Sequence, residues 1–236
     1  MRLSELYVSV QGEGPRVGKP TIFVRFGGCN LRCALWPCDT PHAIFPEQYR
    51  HEWEKVGAED LVKRITQLAA KHGVENICFT GGEPFLQPKY DINAVISHLD
   101  DAGFEMEAFT NGTLAYARNA LGKVNLVMDW KLPGSGEEWD NPERLLNIAR
   151  LRSRDYDGHV VKFTIADGSD FARAKQIWEE YLQPQYNKRV LPVYAGVVWG
   201  KLENSQLVDW ILEHSLPWKL NVQVHNHVWD RSQRAI

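Results

Sequence analysis

Short β-rich runs and amphipathic runs take turns along nearly the whole of this 236-residue chain. Thr21 to Gly27 precedes a helical pattern over Ala58 to Lys71, Asn76 to Thr80 precedes Ile92 to Ala102, and Phe104 to Thr110 precedes Leu114 to Leu121. Val124 to Asp129 is followed by Asn141 to Arg152, where Asn141 is a natural N-cap and Pro142 sits in the first turn. His159 to Ile165 leads to a helix opened by Ser169 or Asp170, running to Tyr181 and closed by Pro184. Val190 to Ala195, Ser205 to His214 and Leu220 to Val224 complete the series. Parallel strands need crossovers, so this alternation predicts an α/β fold with a mostly parallel sheet covered by helices. Six or seven such units fall short of a closed eightfold barrel; an incomplete, TIM-like β/α barrel is expected, with a doubly wound open sheet as the alternative. No linker, repeat or low-complexity stretch interrupts residues 1–236, which predicts a single domain.

Reactive groups in either architecture belong at the carboxyl ends of the strands. Cys29 follows the first of these strands, Gly81-Gly82-Glu83 the second, Asn111-Gly112 the third and Asp129 to Lys131 the fourth, so four loops are expected to line one mouth. A net charge of -3 gives no basic field for gripping a phosphate backbone, which argues against nucleic acid as a direct ligand. No apolar run approaches the ~20 residues of a membrane span, and Met1 to Val10 lacks a secretory apolar region. A cytoplasmic location is expected, and a reducing compartment keeps cysteines from serving as staples.

Three of the four cysteines, Cys29, Cys33 and Cys38, fall within ten residues. Clustered thiolates select zinc, copper(I) or an iron–sulfur cluster. Structural zinc is one reading, because His42 would complete a Cys3His set; Cys78, inside a strand, reads as packed. Three ligands on a cuboidal cluster would leave one iron open to bind a small molecule. The turn Thr80-Gly81-Gly82-Glu83-Pro84 adds glycines that expose backbone and a carboxylate acceptor at the end of the next strand.

The cysteine loop followed by Thr-Gly-Gly-Glu-Pro resembles the radical S-adenosylmethionine superfamily. That resemblance implies a 4Fe-4S cluster on Cys29, Cys33 and Cys38, with S-adenosyl-L-methionine (SAM) chelating the open iron and cleaved to a 5′-deoxyadenosyl radical. The spacing here is three residues and then four between cysteines, where three and two are usual. Pro37 stands where an aromatic residue usually precedes the last cysteine, so adenine stacking is assigned to Trp36 or to the backbone around Pro37 and Asp39.

Ser9-Val10-Gln11-Gly12-Glu13-Gly14, Phe23-Val24-Arg25-Phe26, Cys38-Asp39-Thr40 and Val222-Gln223-Val224-His225 together resemble the 7-carboxy-7-deazaguanine synthase family along the whole chain. The implied reaction converts 6-carboxy-5,6,7,8-tetrahydropterin to 7-carboxy-7-deazaguanine with loss of ammonia, beginning with hydrogen abstraction at C6. Gln11, Glu13, Arg25, Thr80 and His225, with Val10 and Gly12, are the implied substrate residues. Gly82, Glu83, Asn111, Asp129, Trp130 and Lys131, with Pro37, Cys38 and Asp39, are the implied SAM residues, and Thr40 the implied magnesium (Mg2+) ligand. Asp129-Trp130-Lys131 replaces a more usual Ser-Pro-Lys, Tyr194 lies where relatives often carry Gln-Pro, and the chain continues for eleven residues from Asn226, past the terminal histidine motif. A flavodoxin- or ferredoxin-type reductant and a homodimer are implied as well.

The residue types suit that ligand. Gln11 can donate and accept, Glu13 can accept from a guanidine-like pair of N–H groups, and Arg25 can take a carboxylate through two parallel bonds. Each has a plainer reading: Gln11 and Glu13 as a polar turn, Arg25 paired with Asp39 or Glu13, His225 as a packed histidine. A glycyl-radical activase and a zinc-stabilised binding module are the rival functions.

Overall fold

The computed structural model describes residues 1–33, 38–114, 122–137, 147, 158–183, 191–230 and 233–234. Among the described residues, nine strands form one sheet: β1 (Arg2–Val10), β2 (Pro20–Phe26), β3 (Glu54–Lys55), β4 (Asn76–Gly81), β5 (Glu105–Thr110), β6 (Asn125–Trp130), β7 (Val160–Ile165), β8 (Val193–Val197) and β9 (Lys219–Leu220). Their order is β3-β1-β2-β4-β5-β6-β7-β8-β9. β1 runs antiparallel to β2 and β3, and every pairing from β2 to β9 is parallel. The expected mostly parallel α/β sheet is therefore present, with an antiparallel edge.

Helices α1 (Pro41–Ile44) and α2 (Pro46–Tyr49) follow the cysteine loop, and α3 (Ala58–His72) and α4 (Lys89–Asp101) make crossovers. α5 (Gly168–Ile177) and α6 (Asn204–Glu213) cover the later strands, and α7 (His225–Val228) is a single turn near the C-terminus. α3 buries Leu61, Ile65 and Ala69 at helical spacing and stops at Gly73, whose φ of +66° suits glycine. α4 buries Ile92, Val95, Ile96 and Leu99.

Strand parity separates two environments. Ile22, Val24 and Phe26 of β2, Ile77 and Phe79 of β4, Met106 and Ala108 of β5, Leu126 and Met128 of β6, and Val161 and Phe163 of β7 join one apolar core with the helices. Fully burying each of the larger side chains among these contributes roughly 1.5–3 kcal/mol. The alternate positions carry Arg25, Cys78, Thr80, Glu107, Phe109, Asp129 and Lys162. A strand set that hides aliphatic residues on one face and charged residues on the other has a solvent- or ligand-filled concave side.

Four sequence expectations change. β1 was not anticipated, because a register shift between Leu3 and Glu5 breaks its period: Leu3 enters the core, and after the bulge Glu5 lies opposite Arg25 on the concave face. The last strand ends at Leu220, so His225 opens α7 and does not close a strand. α5 is capped by Asp167, whose carboxylate accepts from the Ser169 and Asp170 amides. Asp170 is fully buried and instead accepts from the Gly134 and Ala166 amides. The penultimate strand covers Val193–Val197 in place of Val190 to Ala195. The helices expected over 114–121 and 141–152 fall almost entirely outside the described residues, as do Trp36 and Pro37. Among the described residues, no helix is long and apolar enough to cross a membrane.

Candidate active site

A cleft of about 500 Å³ opens on the concave face at the carboxyl ends of the strands. Cys29, Cys33, Cys38 and Thr40 line it on one side, Gln11, Glu13 and His225 on another, and Arg25, Thr80, Asp129 and Lys131 rise from the strands between them. Val10, Gly12, Asp39, Gly82 and Asn111 also reach its wall.

Glycines bring these loops together. A Cβ on Gly82 would lie 2.1 Å from the Gly28 carbonyl oxygen, so the turn after β4 can lie against the cysteine loop only without a side chain there. The Gly82 amide donates to Phe26 O (3.0 Å) and the Glu83 amide to Gly28 O (2.8 Å). Glu83 itself is fully buried and brackets two loops: its carboxylate accepts from the Phe85 amide (3.0 Å), Thr110 Oγ1 (2.8 Å) and the Asn111 amide (2.8 Å). Burial pushes its pKa up to about 7 against those hydrogen bonds. Asn111, fixed in this way, donates to Asn30 Oδ1 (3.0 Å) and approaches Cys29 Sγ (3.9 Å). Gly81 and Gly82, rather than the Glu83 side chain, form this part of the wall. Trp130 turns its ring into the core and stacks on Tyr181 at 6.0 Å, so from this segment Asp129 and Lys131 alone put side chains into the cleft.

The three loop cysteines are free thiols. Burial raises all three, Cys33 to about 11, while the Lys131 ammonium pulls the other way. Such thiols need a cationic group to be held as thiolates. Among the described residues, no three His, Cys, Asp or Glu side chains gather to hold a single metal ion. His42 Nε2 lies 3.2 Å from Glu5 Oε2, and no Cys3His set is gathered among the described residues. Three soft donors facing one cleft are the donor type that a cuboidal iron–sulfur cluster takes.

Arg25 is paired, but with neither Asp39 nor Glu13. Its Nε donates to Glu5 Oε2 (2.6 Å) and its Nη2 to Tyr7 Oη (2.9 Å), leaving the terminal Nη1–Nη2 edge. Burial would raise the Glu5 pKa, yet the His42 hydrogen bond and the Arg25 charge hold it at about 2. Arg234, from the C-terminal tail, reaches Glu5 Oε1 (3.4 Å) and Glu52 Oε2 (3.0 Å) at the mouth of the cleft.

The Gln11-to-Gly14 segment is clamped from two directions. Its hairpin closes through the Gln11 amide to Lys19 O (2.8 Å), and the Val224 amide donates to Gly12 O (2.8 Å). A Cβ on Gly12 would lie 2.1 Å from His225 Nδ1, so the imidazole packs directly on this backbone. Gln11 Nε2 donates to Glu107, which directs the Gln11 carbonyl elsewhere. Glu13 Oε2 accepts from Lys162 Nζ (2.8 Å) and Asn221 Nδ2 (3.0 Å).

Glu5, Tyr7, Glu107, Lys162 and Asn221 are site residues that motif spacing did not reveal. Lys162 was visible in principle: like Arg25, it is a lone charge inside an apolar strand, between Val161 and Phe163. Cys78, expected to be packed, is 1% exposed and touches the cleft floor.

The family model of the Radical SAM superfamily matches residues 23–125. A 7-carboxy-7-deazaguanine synthase of Leptospira interrogans is 33% identical over 98% of this chain and 96% of its own length. That of Aquifex aeolicus is 39% identical over 79% of this chain and 78% of its own. Among solved structures, QueE from Escherichia coli superposes with a TM-score of 0.71 at 20% identity, covering 95% of this chain and 94% of that one. SuiB of Streptococcus suis, solved with S-adenosylmethionine, gives 0.53 at 12% identity over 84% of this chain and 48% of its own.

Proposed function

This chain belongs to the 7-carboxy-7-deazaguanine synthase family, and on that premise we propose that its cleft takes 6-carboxy-5,6,7,8-tetrahydropterin and returns 7-carboxy-7-deazaguanine with loss of ammonia. The observation that carries this assignment is the polar concave face itself: Arg25, Lys131 and Lys162, with Glu5, Glu13 and Asp129, line a cleft that three cysteines border at its rim. A zinc-stabilised binding module offers no reason for such a face.

Cys29, Cys33 and Cys38 would hold a 4Fe-4S cluster, which supplies the electron that cleaves SAM to a 5′-deoxyadenosyl radical. Lys131 lines the same region and is suited to the methionyl carboxylate or a ribose oxygen, and Asp129 to ribose hydroxyls. Gly82 and Asn111 present backbone and amide groups beside them, while Glu83 fixes Asn111 from behind. Thr40 offers a single hydroxyl, sufficient for magnesium only where substrate and water provide the remaining oxygens.

On the substrate side, Gln11 and Glu13 supply acceptors and Arg25 supplies donors. With its amide nitrogen committed to Glu107, Gln11 turns its carbonyl oxygen to the ligand, and Glu13 presents Oε1, since Oε2 is already engaged. Two acceptors suit the N–H-rich pyrimidine edge of a pterin. The Nη1–Nη2 edge of Arg25 suits the carboxylate, and Thr80 and His225 complete the wall. These residues orient the ligand and exclude water, which is the protein's share of a radical rearrangement. The homodimer, the flavodoxin- or ferredoxin-type reductant and the cytoplasmic setting belong to the same proposal.

Anaerobic enzyme should contain about four iron and four sulfide per chain and consume the pterin in the presence of SAM and reductant. Formation of 5′-deoxyadenosine without pterin consumption would favour an activase; colourless protein with one zinc would remove the radical chemistry altogether.

A further inference from the structure

Four charged side chains of alternating sign cross the concave face in a row. Glu13 Oε2 lies 2.8 Å from Lys162 Nζ, Lys162 Nζ lies 3.7 Å from Asp129 Oδ2, and that same Asp129 oxygen lies 3.0 Å from Lys131 Nζ. The row starts beside the proposed pterin residues and ends beside the cysteine loop, where the Lys131 charge acts on Cys33 and Cys38. Lys162 is its hinge. The side chain is 8% exposed, lines the cleft and lies over the Phe109 ring at 5.8 Å. Its place is set by the backbone, since Asp129 and Lys162 are Cα partners in the β6–β7 ladder. Two lysines and two carboxylates in a shielded cleft are tolerated together because each ammonium neutralises an acid.

Resting on the functional assignment above, we propose that Lys162 is a positioning residue that ties the pterin half of the cleft to the SAM half, so that each ligand favours binding of the other. One ammonium shared between two carboxylates makes their environments interdependent. When the N–H edge of the pterin engages Glu13, that carboxylate's demand on Lys162 falls and the ammonium turns more fully to Asp129. Asp129 is then less able to hold Lys131, whose ammonium becomes available to the methionyl carboxylate. Linkage requires the same coupling in reverse, with SAM tightening the pterin. A purely structural lysine would stabilise the fold and leave the two affinities independent.

The test measures SAM affinity of the cluster-loaded enzyme with and without pterin, and pterin affinity with and without SAM. Wild type should show reciprocal coupling of about 10-fold. Lys162→Arg should retain it, because the charge is kept. Lys162→Gln should bind each ligand alone but lose the coupling, and its 5′-deoxyadenosine should outrun product. Asp129→Asn, which keeps Lys162 on Glu13 and cuts the other leg, should lose the coupling too and serves if the glutamine variant does not fold. Unchanged coupling in Lys162→Gln or Asp129→Asn, in an enzyme that still makes product, overturns the role of Lys162 alone. Wild type that does not bind the pterin overturns both this role and the functional assignment.

Discussion

Glu107 shows what a ligand-binding interior costs the fold. It sits on the concave side of β5, fully buried, with one carboxylate oxygen accepting from Gln11 and the other, Oε2, without a partner among the described residues. Burial raises its pKa from 4.5 to about 7, with the Gln11 hydrogen bond only partly offsetting. A carboxyl whose folded pKa lies above its unfolded value binds more protons when folded, so stability falls as pH rises from about 4.5 to about 7 and stays reduced above that. At 1.36 kcal/mol per pKa unit, the loss above pH 7 is roughly 3 kcal/mol. Glu107→Gln keeps an acceptor for Gln11 and removes the charge, so the variant should gain about that amount relative to wild type at pH 8 and little at pH 4.5. For a chain of this size the gain corresponds to about 6–12 °C in Tm. Thermal unfolding of both proteins at the two pH values, in anaerobic cluster-loaded form, measures the difference directly. An equal Tm difference at both pH values would refute the assignment of the penalty to an ionising Glu107.

Gly12→Ala should push His225 off the Gln11-to-Gly14 backbone, which its Cβ would otherwise meet at 2.1 Å; kcat/KM for the pterin should fall about 10-fold or more while iron content and SAM binding stay unchanged. Glu5→Gln removes the anion paired with Arg25 and should lower stability at pH 7 by about 3 kcal/mol in a urea titration. Because the folded Glu5 pKa is depressed to about 2, its contribution is present above the unfolded value of 4.5 and is lost as pH falls toward 2, so the two proteins should converge in acid.

The parallel sheet and its crossovers were legible because β2, β4, β5, β6 and β7 are apolar runs joined by helical spacing. β1 was not, since its bulge reverses which residues face inward partway along. The motif residues were legible as a set, and the structure gathers nearly all of those it describes around one cleft. What spacing could not supply was direction. Trp130 and Asp129 are neighbours in sequence, yet one faces the core and the other the cleft. Glu5 and Lys162, more than 150 positions apart, complete the charge balance of the cleft only after the sheet has formed.

The most direct test supplies pterin deuterated at C6 to the reduced enzyme with unlabelled SAM and analyses the nucleoside formed. Deuterium should appear in 5′-deoxyadenosine in step with 7-carboxy-7-deazaguanine. Unlabelled 5′-deoxyadenosine accompanying normal product would contradict a radical delivered from the cysteine side of the cleft to C6 of a pterin bound between Glu13 and Arg25.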